Sequence, residues 1–198
     1  MQSVIRCQWC EKDDLYRHYH DTEWGRPSHD DTHLFEHLIL ETFQAGLSWY
    51  TILAKRENFR KAFDNFDAGK IAVYKEEKIA ALLQDAGIIR STAKINAAVN
   101  NARLYLDCIK EFGSFDKYMW QFTNNTVIRN EWKSMKELPV TSAQSDAMSK
   151  DMKKRGFKFI GSTTCYAYMQ AVGMVNDHVQ TCWLYKSSYT TKNKFIEI

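Results

Sequence analysis

Apolar residues along this chain recur mostly at spacings of three and four, the period of an α-helix and not the alternation of a strand. From His33 to Gln44 the stripe runs through Leu34 and Leu38, with Asp31 or Thr32 placed to cap its start, and Gly46 interrupts it. Trp49, Ile52, Leu53, Arg56, Phe59 and Phe63 make a second stripe, and Asp67 is placed to cap a third, short helix. Glu76 to Ala86 carries Ile79, Leu82 and Leu83 on one face and stops at Gly87, a residue suited to the left-handed position after a helix. Ser91 opens the next helix, with Ile95, Ala98, Val99, Ala102 and Tyr105 inward. Only Ile88, Ile89 and Arg90 separate the two, so they form a helix-hairpin-helix candidate. Ser114, Ser142 and Ser162 begin three further helices, while 123–140 has weak periodicity and reads as a long irregular connection. The pattern predicts an all-α protein: one compact helical domain over 1–186, two lobes sharing a core, and a polar, mobile tail over 187–198.

Composition narrows the class. With 198 residues, 44% of them hydrophobic and 26% charged, the chain is long enough for a sizeable core and is not a disordered one. It contains no apolar run of membrane-spanning length and no secretory signal pattern, so it reads as soluble and cytoplasmic. The net charge of +3 permits a nucleic-acid partner without demanding one. Five cysteines, an odd number in a chain with no export signal, argue for metal or buried thiols over a disulfide framework.

Two constellations carry chemistry. Cys7, Cys10, His18 and His20 stand near the N-terminus, and His178 and Cys182, four apart, share one helix face far downstream. Four thiolates and imidazoles drawn from these suit a tetrahedral, structural zinc ion that ties the first residues to the last ordered ones. Packed thiols and a solvated His178 explain the same spacings equally well. The second constellation centres on Glu41, which falls on the Leu34 and Leu38 stripe where a core residue belongs. A carboxylate there is either paired with an arginine or part of a pocket wall. Trp9, Tyr19, Trp24 and Trp49 lie nearby in sequence. Flat aromatic walls with one anionic acceptor fit a cationic heterocycle, although the same residues also suit plain core.

Taken together these residues resemble the type I 3-methyladenine DNA glycosylases. The likeness runs in order through Cys-Gln-Trp at 7–9, Tyr-His-Asp-Thr-Glu-Trp-Gly at 19–25, Leu-Glu-Thr-Phe-Gln-Ala-Gly-Leu-Ser-Trp at 40–49, Lys-Arg-Glu-Asn-Phe-Arg at 55–60, Gln-Asp-Ala-Gly-Ile-Ile-Arg at 84–90, Lys-Arg-Gly-Phe-Lys-Phe-Ile-Gly at 154–161 and Val-Asn-Asp-His at 175–178. The resemblance implies a helix-hairpin-helix glycosylase that removes 3-methyladenine from alkylated double-stranded DNA, leaves an abasic site without cutting the strand, and acts as a monomer. It implies zinc ligands at Cys7, His20, His178 and Cys182, with Cys10 a bystander. The base pocket falls on Glu41, Tyr19, Trp49 and Trp9, with Trp24 in support. DNA contacts are expected from Gly87, Arg90 and Lys94 at the hairpin, and from Gly46 and Leu47, the leucine being either a wedge or core. The chain departs from the family at Ala167, where some members carry a base-contacting serine. It also has a single glycine in its hairpin, where other helix-hairpin-helix repair enzymes carry two. Rival readings are a glycosylase for another damaged base and a zinc-stabilised DNA-binding module without catalysis.

Overall fold

A computed structural model describes residues 4–185; the expected tail and its boundary at 186 lie outside these. Ten α-helices follow in order: α1 (Asp14–Thr22), α2 (Asp31–Gln44), α3 (Trp49–Ala54), α4 (Arg56–Ala62), α5 (Ala68–Ile71), α6 (Glu76–Gln84), α7 (Thr92–Phe112), α8 (Phe115–Trp120), α9 (Ala143–Arg155) and α10 (Ser162–Ala171). The only strand pairing among the described residues is a two-residue parallel bridge, β1 (Ile128–Arg129) on β2 (Val175–Asn176), which joins the irregular connection to the C-terminal segment. None of these helices is long and apolar enough to cross a membrane.

The helix starts follow from short polar side chains. Asp67, Ser91, Ser114 and Ser142 accept the backbone N–H three residues on, as their spacing predicts. At α2 the cap is Asp30, not Asp31 or Thr32. Asp31 sits in the first turn, and its carboxylate reaches across to accept from the N–H groups of Phe115 and Asp116, so it holds the start of α8. The second stripe is broken at Lys55 into α3 and α4, and Arg56, counted on that stripe, is a buried charge and not a core hydrophobe. Its buried guanidinium donates to Glu23 at 2.6 Å and to Glu36 at 2.5 Å, a charge network that clamps α4 to α2 and to the end of α1.

Gly87 corrects a second expectation. α6 ends at Gln84, and Gly87 does not take a left-handed φ. It is glycine because a Cβ would stand 2.9 Å from the Asp85 carboxylate and 3.2 Å from Asn58. The Asp85 carboxylate also accepts the Gly87 N–H, at 2.7 Å.

The main core packs α2 centrally, with Leu34, Phe35, Leu38 and Ile39 meeting Ile95, Ala98 and Ala102 of α7 and Tyr168 and Met169 of α10. A smaller cluster of Cys7, Tyr19, Trp24, Leu53, Val179, Cys182 and Leu184 joins the two ends of the described chain. Asp177 stitches the C-terminal segment in place, since its buried carboxylate accepts from Asn130, Trp132, Tyr166 and Gln170.

Candidate active site

Glu41 lies on the third turn of α2 and is 4% exposed. Among the described residues no arginine pairs with it; Arg56 and Arg60, on the neighbouring α4, pair with Glu36. Burial alone pushes the Glu41 carboxyl up to about 8. Beside it a small cavity of about 10 Å³, room for roughly one water, is walled by Leu38, Met119, Met148 and Tyr168. Glu41 is thus a carboxyl in apolar surroundings, neutral at pH 7 until a positive charge arrives.

Tyr19 of α1, buried, and Trp49, the first residue of α3, stand together with ring centroids 5.4 Å apart. Burial, and then the charges of Glu23 and Glu41, hold the Tyr19 phenol well above its ordinary range, so it stays protonated. Trp9, in a 3-10 turn over Gln8–Cys10, lies 6.3 Å from Tyr19 and 5.0 Å from Trp24. Trp49 is backed by His37, stacked at 5.9 Å, and burial lowers that imidazole to about 4. One aromatic was missed from the sequence. Tyr16, one turn before Tyr19 on the same helix, meets Trp9 at 4.8 Å and feels the Glu41 charge. Its spacing of three from Tyr19 was the available signal.

Cys7, His20, His178 and Cys182 converge, with their ligating atoms all within 4.8 Å of one another and all four residues buried. Cys182 Sγ lies 3.5 Å from His20 Nε2 and 3.6 Å from His178 Nδ1, and Cys7 Sγ lies 3.6 Å from His178 Nδ1. His20 donates its other ring N–H to Asp21 at 2.8 Å, which fixes the tautomer that turns Nε2 toward the sulfurs. The Cys7 thiol, with His178 and His20, holds Cys182 far below the usual thiol range. Such a cluster can hold a metal ion. His18 is exposed, and Cys10 donates its thiol to the Cys7 carbonyl, so neither joins it. Trp24 packs edge-on against His178 at 4.7 Å and Trp9 against His20 at 5.4 Å, so the cluster is packed against both tryptophans.

The residues expected to meet DNA divide. Gly46, at φ +79°, and Leu47, 40% exposed, form an open turn after α2, which removes the core reading of the leucine. Arg90 is exposed beside the start of α7. Lys94 is engaged within the fold, since its ammonium donates to the carbonyls of Phe43 at 2.8 Å and Ala45 at 2.6 Å and satisfies the end of α2. It ties the Gly46 turn to α7 and is not a free charge. Ala167, on α10, brings no hydroxyl to the site.

A mostly helical chain with a buried, unpaired carboxyl, a group of packed aromatics and a Cys2His2 cluster joining the two ends of its described residues fits a recognisable class, the helical base-excision glycosylases. The chain belongs to the methyladenine glycosylase family, whose pattern it matches over residues 9–185. It is 49% identical over 180 residues to a DNA-3-methyladenine glycosylase 1 of Escherichia coli strain K12, covering 91% of this chain and 96% of that one. A crystal structure of a 3-methyladenine DNA glycosylase I superposes with a TM-score of 0.88 at 46% identity, covering 90% of this chain and 98% of the other. The Staphylococcus aureus enzyme, solved to show how it recognises 3-methyladenine, gives a TM-score of 0.89 at 34% identity, with 93% and 98% covered.

Proposed function

We propose that this protein hydrolyses the bond between deoxyribose and 3-methyladenine in alkylated double-stranded DNA, releasing the base and leaving an abasic site in an uncut strand. The observation that carries this reading is Glu41, a buried carboxyl with no ion-pair partner, whose charge is felt by Tyr19, itself packed against Trp49. Relatives of known structure support its placement. One is a tyrosine-to-phenylalanine variant in complex with 3-methyladenine, and another is a glutamate-to-glutamine mutant from Staphylococcus aureus. The two substituted positions differ by 22, the separation of Tyr19 from Glu41.

Methylation at N3 makes the adenine cationic, so its glycosidic bond is already weakened and the base leaves as a neutral molecule without being protonated. The protein's work is extrusion, recognition and shielding. Glu41, ionised by the arriving cation, accepts hydrogen bonds from the adenine edge; Tyr19 adds a polar contact, and Trp49 and Trp9 supply aromatic surface, with Trp24 behind them.

The Cys7, His20, His178 and Cys182 set fits zinc. With Zn–S near 2.3 Å and Zn–N near 2.0–2.1 Å, a tetrahedron has S–N edges of about 3.6 Å, and the observed separations are 3.5 and 3.6 Å. Four protein ligands leave no open position, so the ion would be structural. DNA is held by the helix-hairpin-helix unit of α6 and α7 through Gly87, Arg90 and the first N–H groups of α7, with Leu47 entering the gap left by the extruded nucleotide.

Incubation with randomly methylated duplex DNA, followed by chromatography of the free bases, tests the reading. Release of 3-methyladenine with strands that break only after alkali treatment is expected. Release of neutral lesions alone, or direct strand cleavage, would overturn it.

A further inference from the structure

The segment 156–161 is unusually well fastened. Gly156 closes α9 at φ +98°, and Asn100 donates to its carbonyl at 3.0 Å. Asn101, fully buried, grips Lys158 on both sides: it accepts the Lys158 N–H at 2.9 Å and donates to the Lys158 carbonyl at 3.1 Å. Ser149 donates to the carbonyl of Ile160 at 2.7 Å. Phe157 and Ile160 are buried, yet Phe159 between them is 39% exposed and sits at φ +57°. That is a left-handed conformation that a bulky side chain rarely adopts and that glycine would take freely. Strain of this kind persists where the surroundings over-determine it, often at functional sites.

Phe159 borders an open groove of about 390 Å³ with Lys158 and with Ala93, Asn96, Ala97 and Asn100 of α7. Ala93 and Asn96 belong to the first turns of α7, the helix end that adjoins Arg90, and Ile160 forms part of the cavity wall beside Glu41. The groove therefore lies at the hairpin end of α7, and Phe159 on its rim directly precedes Ile160 of the cavity wall. Lys158 and Asn96, both exposed, give it a positive and a hydrogen-bonding rim. Extruding one nucleotide leaves the bases beside it with an unstacked face, and a rigidly held aromatic ring can cover that face.

We propose that Phe159 is a stacking platform for a nucleobase of the substrate duplex next to the extruded nucleotide, with Lys158 and Asn96 receiving the adjoining backbone. The proposal rests on the DNA-glycosylase reading above. The test titrates the full-length, metal-loaded protein and its Phe159→Ala, Phe159→Gly and Phe159→Trp variants with a labelled duplex carrying a tetrahydrofuran abasic analogue. Duplex affinity falls on the order of tenfold in the alanine and glycine variants, while the Tm of the glycine variant stays at or above that of the parent. The tryptophan variant keeps its affinity, and duplex quenches its added emission. Undiminished affinity in the alanine and glycine variants, a matching loss of Tm in the glycine variant, or an unquenched tryptophan overturns the proposal. A parent protein that binds duplex and releases 3-methyladenine while these variants behave normally leaves the enzyme reading intact, and a parent that does neither removes both.

Discussion

At the residue scale, Glu41 and Arg56 show two ways of placing charge inside a helical core. Arg56 is fully paired, and its loss would leave half-buried Glu23 without its guanidinium and buried Glu36 with Arg60 alone. Glu36→Ala is expected to lower unfolding stability by about 1.5–3 kcal/mol in urea denaturation, because the Arg56 guanidinium loses one of its two carboxylate partners and keeps Glu23. Glu41 is unpaired, and its carboxyl is raised to about 8 by burial. Between pH 4.5 and 8 the folded protein therefore holds a proton that the unfolded chain releases, so stability falls as pH rises through this window. Glu41→Gln removes that dependence, and its Tm is expected to exceed the parent's at pH 8 while matching it near pH 4.5. This is the behaviour of a site group whose surroundings suit a bound cation better than an empty pocket. The position of Glu41 on an apolar stripe was legible in the sequence. Its freedom from a salt bridge was not, because that depends on Glu36 capturing both nearby arginines, a tertiary fact.

At the scale of elements, the helix starts were legible wherever a Ser or Asp stood alone before an apolar stripe, as at Asp67, Ser91, Ser114 and Ser142. They were ambiguous at Asp30-Asp31-Thr32, where three capping residues run together and only the docking of α8 decides which carboxylate turns inward. The pairing of Arg56 and the role of Gly87 were hidden for a similar reason: the first depends on the approach of Glu23 and Glu36 and the second on that of Asn58 and Asp85. Lys94 and Arg90 look alike in sequence as hairpin cations, but the structure separates them. Arg90→Ala is expected to weaken duplex binding and to reduce the slope of log affinity against log salt by about 1. Lys94→Met should leave that slope unchanged and instead cost about 1 kcal/mol of stability, because two α2 carbonyls lose their donor.

For the whole molecule, the proposed zinc cluster would connect stability to recognition. Cys7 is two residues from Trp9, and His20 directly follows Tyr19, so the group that joins the chain's ends also orients the aromatic walls. Purified protein is expected to carry about one zinc per chain. Cys182→Ala should lower Tm and weaken binding of free 3-methyladenine together, whereas a cluster with no part in recognition would lower Tm alone. The four ligands could be suspected from spacing, since His178 and Cys182 stand four apart, but the structure holds these two in an irregular turn and not on one helix face, and the choice of His20 over His18 depends on the direction α1 takes, which spacing does not encode. The central claim is that an ionised Glu41 recognises the cationic base. It is tested most directly by kcat/KM for 3-methyladenine release from duplex DNA between about pH 6 and 9.5, in the parent and in Glu41→Gln. The account predicts that the parent's kcat/KM rises with pH to a plateau with an apparent pKa near 8. It predicts that the glutamine variant is at least tenfold slower on that plateau and flat across the range. A glutamine variant that matches the parent, or one that keeps the parent's pH dependence, would contradict it.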